Sequence, residues 1–285
     1  MKTVNKALAT GIAMVLIASV TLLALSSASP ALSARLNGLW ALVSTPTPPP
    51  GDPIPLKTID GLTSLNATVN IQVNGLINGK RAQGDLNAAL TANDQNQSKI
   101  SVTGPLLGDI VAQVGGSLVS LFTPSQVDIY KVPEGTYIVL NGFFPVCVKP
   151  QAANASAALD EMSPKNILKM LTSSDVARGK LVGEEKLNGK TVKHYVIDGD
   201  AFLAAAKKSK DTKTKAFGDA LWAAEDADLY VDAQGGYPVA FNGCYSGTYA
   251  PLKFEGDFCV DIELTGVNTN TPVKLPASCN NPISK

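Results

Sequence analysis

From Leu65 to Asn74 the chain reads LNATVNIQVN, apolar and polar in alternation. A period of two satisfies both faces only as a β-strand with one face dry and one wet. Leu65, Ala67, Val69, Ile71 and Val73 point one way, and Asn66, Thr68, Asn70, Gln72 and Asn74 the other. The next stretch, KRAQGDLNAALTAND, puts Ala82, Gly84, Leu86, Ala88 and Leu90 on one face, and SKISVTG adds Ile100 and Val102. Three such runs in succession predict an antiparallel meander with one wet side. The inner face of the second run is small, which leaves room in front of the sheet.

The period then changes. In PLLGDIVAQVGGSLVSLF, Leu107, Ile110, Val111, Val114, Leu118, Leu121 and Phe122 form one helical stripe. Gly115 and Gly116 interrupt it and allow a bend. The spacing predicts a helix that covers the sheet, lining or gating a cavity in the sharper reading. QVDIYKVPEGTYIVLNGFF reads as a hairpin around PEG, and SPKNILKMLTS as a short helix capped by Ser163. GKLVGEEKLNGKTVKHYVIDGD reads as a hairpin turning at LNGK. DAFLAAAKKSK and TKAFGDALWAAED read as one or two helices over the sheet, and three strands follow. The expectation is α+β: about ten antiparallel strands in a single, strongly curved sheet, with helices inserted between hairpins.

The N-terminus reads as a targeting segment. Lys2 and Lys6 precede nineteen residues without a charge, Ala7 to Leu25. That length falls between a signal peptide and a spanning helix, so residues 1–28 are read as either a cleaved signal or a membrane anchor. Both place the rest of the chain outside the cytoplasm. STPTPPPGDP, Ser44 to Pro53, has five prolines in ten residues and reads as a stiff polyproline spacer. Residues 29–53 are therefore a membrane-proximal segment and linker, and residues 54–285 the folded domain. Removing Lys2 and Lys6 leaves 22 basic against 24 acidic residues, with no basic stripe to meet phosphates. Nucleic acid is not an expected partner.

Four cysteines in an oxidising compartment suggest disulfides. If YPVAFNGCYSGTY and FEGDFCVDIELTGV pair across a turn centred between Pro251 and Leu252, Cys244 faces Cys259. That leaves Cys147 and Cys279 to pin the tail. Their spacings match no zinc pattern, and no metal is expected.

The sequence holds no G-x-S-x-G, H-E-x-x-H, P-loop or dinucleotide fingerprint. His194 is the one histidine and shares a strand face with Val192 and Val196. Glu184 and Glu185 are adjacent, so on a regular strand they point to opposite faces. No catalytic residue and no cofactor is assigned, and the chain is read as a non-enzyme.

The order of parts resembles the LolA-like superfamily, most nearly the LppX/LprG-type lipoproteins. VNGLINGKRAQGDLNAAL looks like the family's opening hairpin. VGEEKLNGKTVKHYVIDGDAF resembles its later hairpin through Gly183, Glu185, Gly189, His194 and Tyr195. ADLYVDAQGGYPVAFN resembles a third through Tyr230, Asp232 and Pro238. The resemblance runs roughly from Leu56 to Val273 and rests on order more than on any one motif. It implies a half-open β-barrel wrapped over helices, with an apolar cavity that holds acyl chains in transit between membranes. The lipid-modified cysteine of the LppX-type relatives is absent here, and the four cysteines are extra.

On that reading Val69, Ile71, Val73, Leu86, Leu90, Ile100 and Val102 line the cavity opposite Leu107, Ile110, Val111, Val114 and Leu118. The expected function is binding or transport of a lipid or acylated molecule in the bacterial cell envelope, outside the cytoplasm. The expected partners are a lipid ligand, the membrane through the N-terminal segment, and an envelope protein. The alternative is a membrane-tethered sensory or scaffold domain that binds protein partners without a ligand.

Overall fold

The computed structural model describes residues 51–57, 62–95, 97–108, 124–149, 176–250 and 253–284. Among these, the opening alternation forms β2 (Leu65–Ile77), which turns into β3 (Lys80–Ala92) and β4 (Ser98–Thr103). The first turn is Asn78–Gly79, with φ of 52° and 76°. Positive φ at both central residues is what a tight hairpin matching the strand twist requires, and Asn-Gly supplies it. The hairpin β5 (Gln126–Val132) to β6 (Gly135–Asn141) follows, then β7 (Val146–Lys149). β8 (Arg178–Leu187) and β9 (Lys190–Ile197) turn at Asn188–Gly189, again with φ positive at both.

Two helices come next, α1 (Gly199–Lys208) and α2 (Thr212–Ala220). Asp198 caps the first by accepting from the Ala201 N–H, and Asp211 caps the second by accepting from the Thr214 N–H. The chain closes with β10 (Leu221–Ala224), β11 (Ala227–Asp232), β12 (Pro238–Tyr249), β13 (Phe254–Val267) and β14 (Ile283–Ser284). β1 (Asp52–Pro53) pairs with β8 at one edge.

The strands form one open sheet in the order β1-β8-β9-β11-β12-β13-β2-β3-β4-β5-β6-β7-β14, with β10 paired to β12 beside this path. All described pairings are antiparallel except β14 on β7, which is parallel. Fourteen strands among the described residues exceed the ten or so expected, because β1, β7, β10 and β14 are short pieces without a readable period.

Two expectations need correction. LWAA was expected to continue a helix and is instead a strand. The helix ends because Leu221 turns extended and pairs with Gly247. Asp52–Pro53 was expected in a linker unable to join a sheet. It pairs at the outermost edge, the place where a proline lacking its N–H is tolerated. Of the large apolar residues in TKAFGDALWAAED, Phe217 and Leu221 are buried and Trp222 is half exposed. The segment expected as the covering helix begins as a helical turn at Pro105 to Gly108, and its residues 109–123 lie outside the described residues, as does SPKNILKMLTS.

The β12–β13 register sets Cys244 opposite Cys259 in an unbroken ladder from Tyr249–Phe254 to Ala240–Glu263. Both disulfides form as expected: Cys244–Cys259 across the hairpin, and Cys147–Cys279 over a separation of 132 residues. The second holds the C-terminal tail against the back of β5–β7, where Val273 and Cys279 pack with Tyr130, Val132, Tyr137 and Val139.

In the neighbouring strands β12, β13 and β2, Gly247, Gly256 and Gly75 stand in register. A Cβ on Gly75 would lie 2.4 Å from the Glu255 carbonyl oxygen and 2.9 Å from the Gly256 Cα. Only glycine allows so close an approach of two strand backbones, which marks where a sheet bends.

Candidate functional site

The inner wall is built by alternation. Val69, Ile71 and Val73 of β2, Leu86 and Leu90 of β3, and Ile100 and Val102 of β4 are all buried in a single cluster, together with Leu107. Those eight are brought together as the sequence pattern required. Ile110, Val111, Val114 and Leu118 lie outside the described residues.

Two halves of this wall differ. Beneath α1 and α2 the sheet is lined by aromatic rings. Phe202 and Phe217 meet Tyr245 at centroid distances of 5.8 and 5.6 Å, and Tyr245 meets Phe258 at 5.5 Å. Burial pushes the Tyr245 phenol far above its usual range. In front of β3 the side chains are small. Part of that space is taken: a Cβ on Gly84 would sit 3.2 Å from Leu106 Cγ and 3.4 Å from Pro105 Cγ. The start of the covering segment therefore seats its first turn in the notch left by a glycine. Chemically, this wall offers apolar area and dispersion contacts.

The opposite face carries what the sequence reading passed over. A groove of about 540 Å³ runs along it, lined by Thr68, Asn70, Asn87, Asn242, Asp261 and Glu263 among others. Asn70 donates to Asn87 at 2.8 Å, and Asn87 to Asp85 at 2.7 Å. Asn242 donates to Asp261, and Asn188 at the β8–β9 turn donates to Glu263. The hairpin tip thus reaches over the polar face of β13. The signal was present in the polar half of the alternation, which the apolar half overshadowed.

His194 stands at the border of this face. Its Nε2 is 2.7 Å from Asp228 Oδ1 and its Nδ1 is 3.5 Å from Glu185 Oε1. Its ring stacks on Tyr230 at 4.5 Å. Burial, then the Asp228 and Glu185 carboxylates, hold the Tyr230 phenol above its ordinary value. Glu184 faces Lys193 in the strand register and stays out of this group, as expected for adjacent strand residues. Among the described residues no cluster of His, Cys, Asp and Glu has the makings of a metal site.

No protein-family model matches the chain, and no curated protein matches it in sequence. Among solved structures it is similar to LprF from Mycobacterium bovis, with 13% identity, 76% of this chain and 90% of that chain covered, and a TM-score of 0.39. It is also similar to the lipoprotein LppX of Mycobacterium tuberculosis, at 11% identity over 76% and 91% of the two chains, with a TM-score of 0.32. A third is a putative outer membrane lipoprotein-sorting domain from Vibrio parahaemolyticus, at 9% identity over 76% and 90%, with a TM-score of 0.23. Likeness at this level leaves the function of this chain to its own residues.

Proposed function

We propose that the chain is an extracytoplasmic protein that binds or carries a lipid or acylated molecule on the inner face of its sheet, by binding rather than catalysis. The observation that supports this most is the continuous apolar wall across β2, β3 and β4, with small side chains at its centre. The inner face of β3 is small at Ala82, Gly84 and Ala88. Alkyl chains need only such area, at about 0.8 kcal/mol per buried methylene. The two disulfides agree with a place outside the cytoplasm. Residues 1–28 would deliver the chain there as signal or anchor, and the proline-rich stretch would space the domain from the membrane.

The test is organic extraction of purified residues 51–285, which hold every described element, followed by lipid mass spectrometry against a mock purification. An acyl lipid in stoichiometric amount is the expected result. A protein that is clean and also refuses added lipid would overturn the reading. One observation favours the second reading, a ligand-free tethered module: Leu106 already fills the notch at Gly84.

A further inference from the structure

The groove on the polar face crosses the strands instead of running along one of them. The registers put Asn242, Asp261, Asn70, Asn87 and Thr103 in one row, one residue from each of β12, β13, β2, β3 and β4. All five line the groove, with amides, a carboxylate and a hydroxyl. The neighbouring row on the same strands is Ala240, Glu263, Thr68, Ala89 and Ser101, and Tyr230 of β11 continues it at one end. Two alanines, a serine and a threonine keep this second row low, so it makes the floor. From the Tyr230 side the β8–β9 tip reaches in: Leu187 lines the groove and Asn188 donates to Glu263. Neighbouring strands lie about 4.8 Å apart, so the path from β11 to β4 is about 24 Å long.

The chemistry of the lining selects among ligands. No lysine or arginine lines the groove, and its two ionisable carboxylates are Asp261 and Glu263. The cations nearby are engaged elsewhere. Lys99 lies 3.7 Å from Asp128, while Lys186 and Lys190, beside the hairpin tip, donate to Thr191 and Tyr237. An anionic chain would meet like charge here. A peptide strand would find no free backbone edge, because the groove runs across a paired sheet. The amides are held in place by each other. Asn70 donates to Asn87 at 2.8 Å, Asn87 to Asp85 at 2.7 Å, and Asn242 to Asp261. Each bond uses one N–H of an amide that has two, and leaves the second to a ligand. Fixed amides and carboxylates in a line offer donors and acceptors side by side, which suits hydroxyl groups that both give and accept. The Tyr230 ring supplies an aromatic surface at the end, whose negative face attracts C–H groups.

We propose that this groove binds a linear, uncharged glycan lying across the strands. The site is on the opposite face from the apolar wall, so it goes beyond the lipid reading and stands or falls without it.

The test is a glycan array of linear neutral oligosaccharides, with sulfated and carboxylated chains and a lysine-rich peptide printed beside them. It is probed with full-length protein in a detergent that has no sugar headgroup. Retention of neutral glycans is the expected result. Ala89 is exposed on the floor, so Ala89→Trp should fill the groove and abolish retention while leaving the unfolding midpoint unchanged. Asn242→Ala, also at an exposed position, should weaken retention by removing one amide of the wall, and it tests the site by itself if Ala89→Trp is poorly folded. An array with no neutral glycan retained overturns the proposal. So does a preference for the anionic chains or the peptide, or equal retention by wild type and both folded variants.

Discussion

Single residues set the stability of this fold against pH in two windows. Asp211 accepts from both the Thr214 N–H at 2.8 Å and the Thr214 hydroxyl at 2.9 Å. Those bonds, the backbone one foremost, hold its carboxyl below the ordinary value of 3.8. A lowered folded value means the cap's contribution is present above the unfolded value and is lost as pH falls through the folded one. Asp211→Ala should cost about 1 kcal/mol at neutral pH. Asp211→Asn should keep most of the cap and flatten the acid limb of stability below about pH 4, read from urea midpoints. The alkaline limb works the other way. Tyr130, Tyr230 and Tyr245 are all held above the usual phenol value, chiefly by burial. Their contribution is full below about pH 10 and is lost as pH rises through the raised values. Urea midpoints should therefore fall above pH 10, and Tyr245→Phe should flatten that fall. An equal slope in the variant would contradict the assignment.

At the scale of elements, the two disulfides do different work. Cys244–Cys259 joins strands already paired within one hairpin, at a separation of 15 residues, while Cys147–Cys279 closes 132. On the chain-entropy model the first contributes roughly 3 kcal/mol and the second roughly 5. Replacing Cys147 and Cys279 by serine should lower the denaturant midpoint more than replacing Cys244 and Cys259. It should also free Val273 and the tail from β5–β7, seen as faster amide exchange there. The pairing was legible in the sequence because the position of the turn's centre fixes register, and a fixed register decides which cysteines meet. The β2–β3–β4 meander was legible for the same reason, since side-chain alternation is a local property. LWAA was misread because its four residues carry no period of their own. Their state is decided by pairing with β12, which is remote in sequence.

For the whole molecule, the inner wall was legible and the outer face was not. Val69, Ile71, Val73, Leu86, Leu90, Ile100, Val102 and Leu107 could be chosen by periodicity, and they meet in one cluster. The groove on the polar side depends on a hairpin tip folding over β13, with Asn188 reaching Glu263 across 75 residues. Glu185 and Asp228 likewise converge on His194 from different strands. No local pattern announces such meetings.

The central claim is that the wall holds lipid, against the plain alternative of a dry, packed core. Ala88 separates the two. It is buried at the middle of the wall, between Val69 and Val102 in register. Inserting a ring into a packed core costs about 1–3 kcal/mol, whereas a space kept for ligand accepts it. The decisive measurement is the acyl lipid recovered from Ala88→Phe beside wild type, with the unfolding midpoint of each lipid-free protein. The account predicts less lipid and an unchanged midpoint. A lowered midpoint with no lipid in either protein would contradict it.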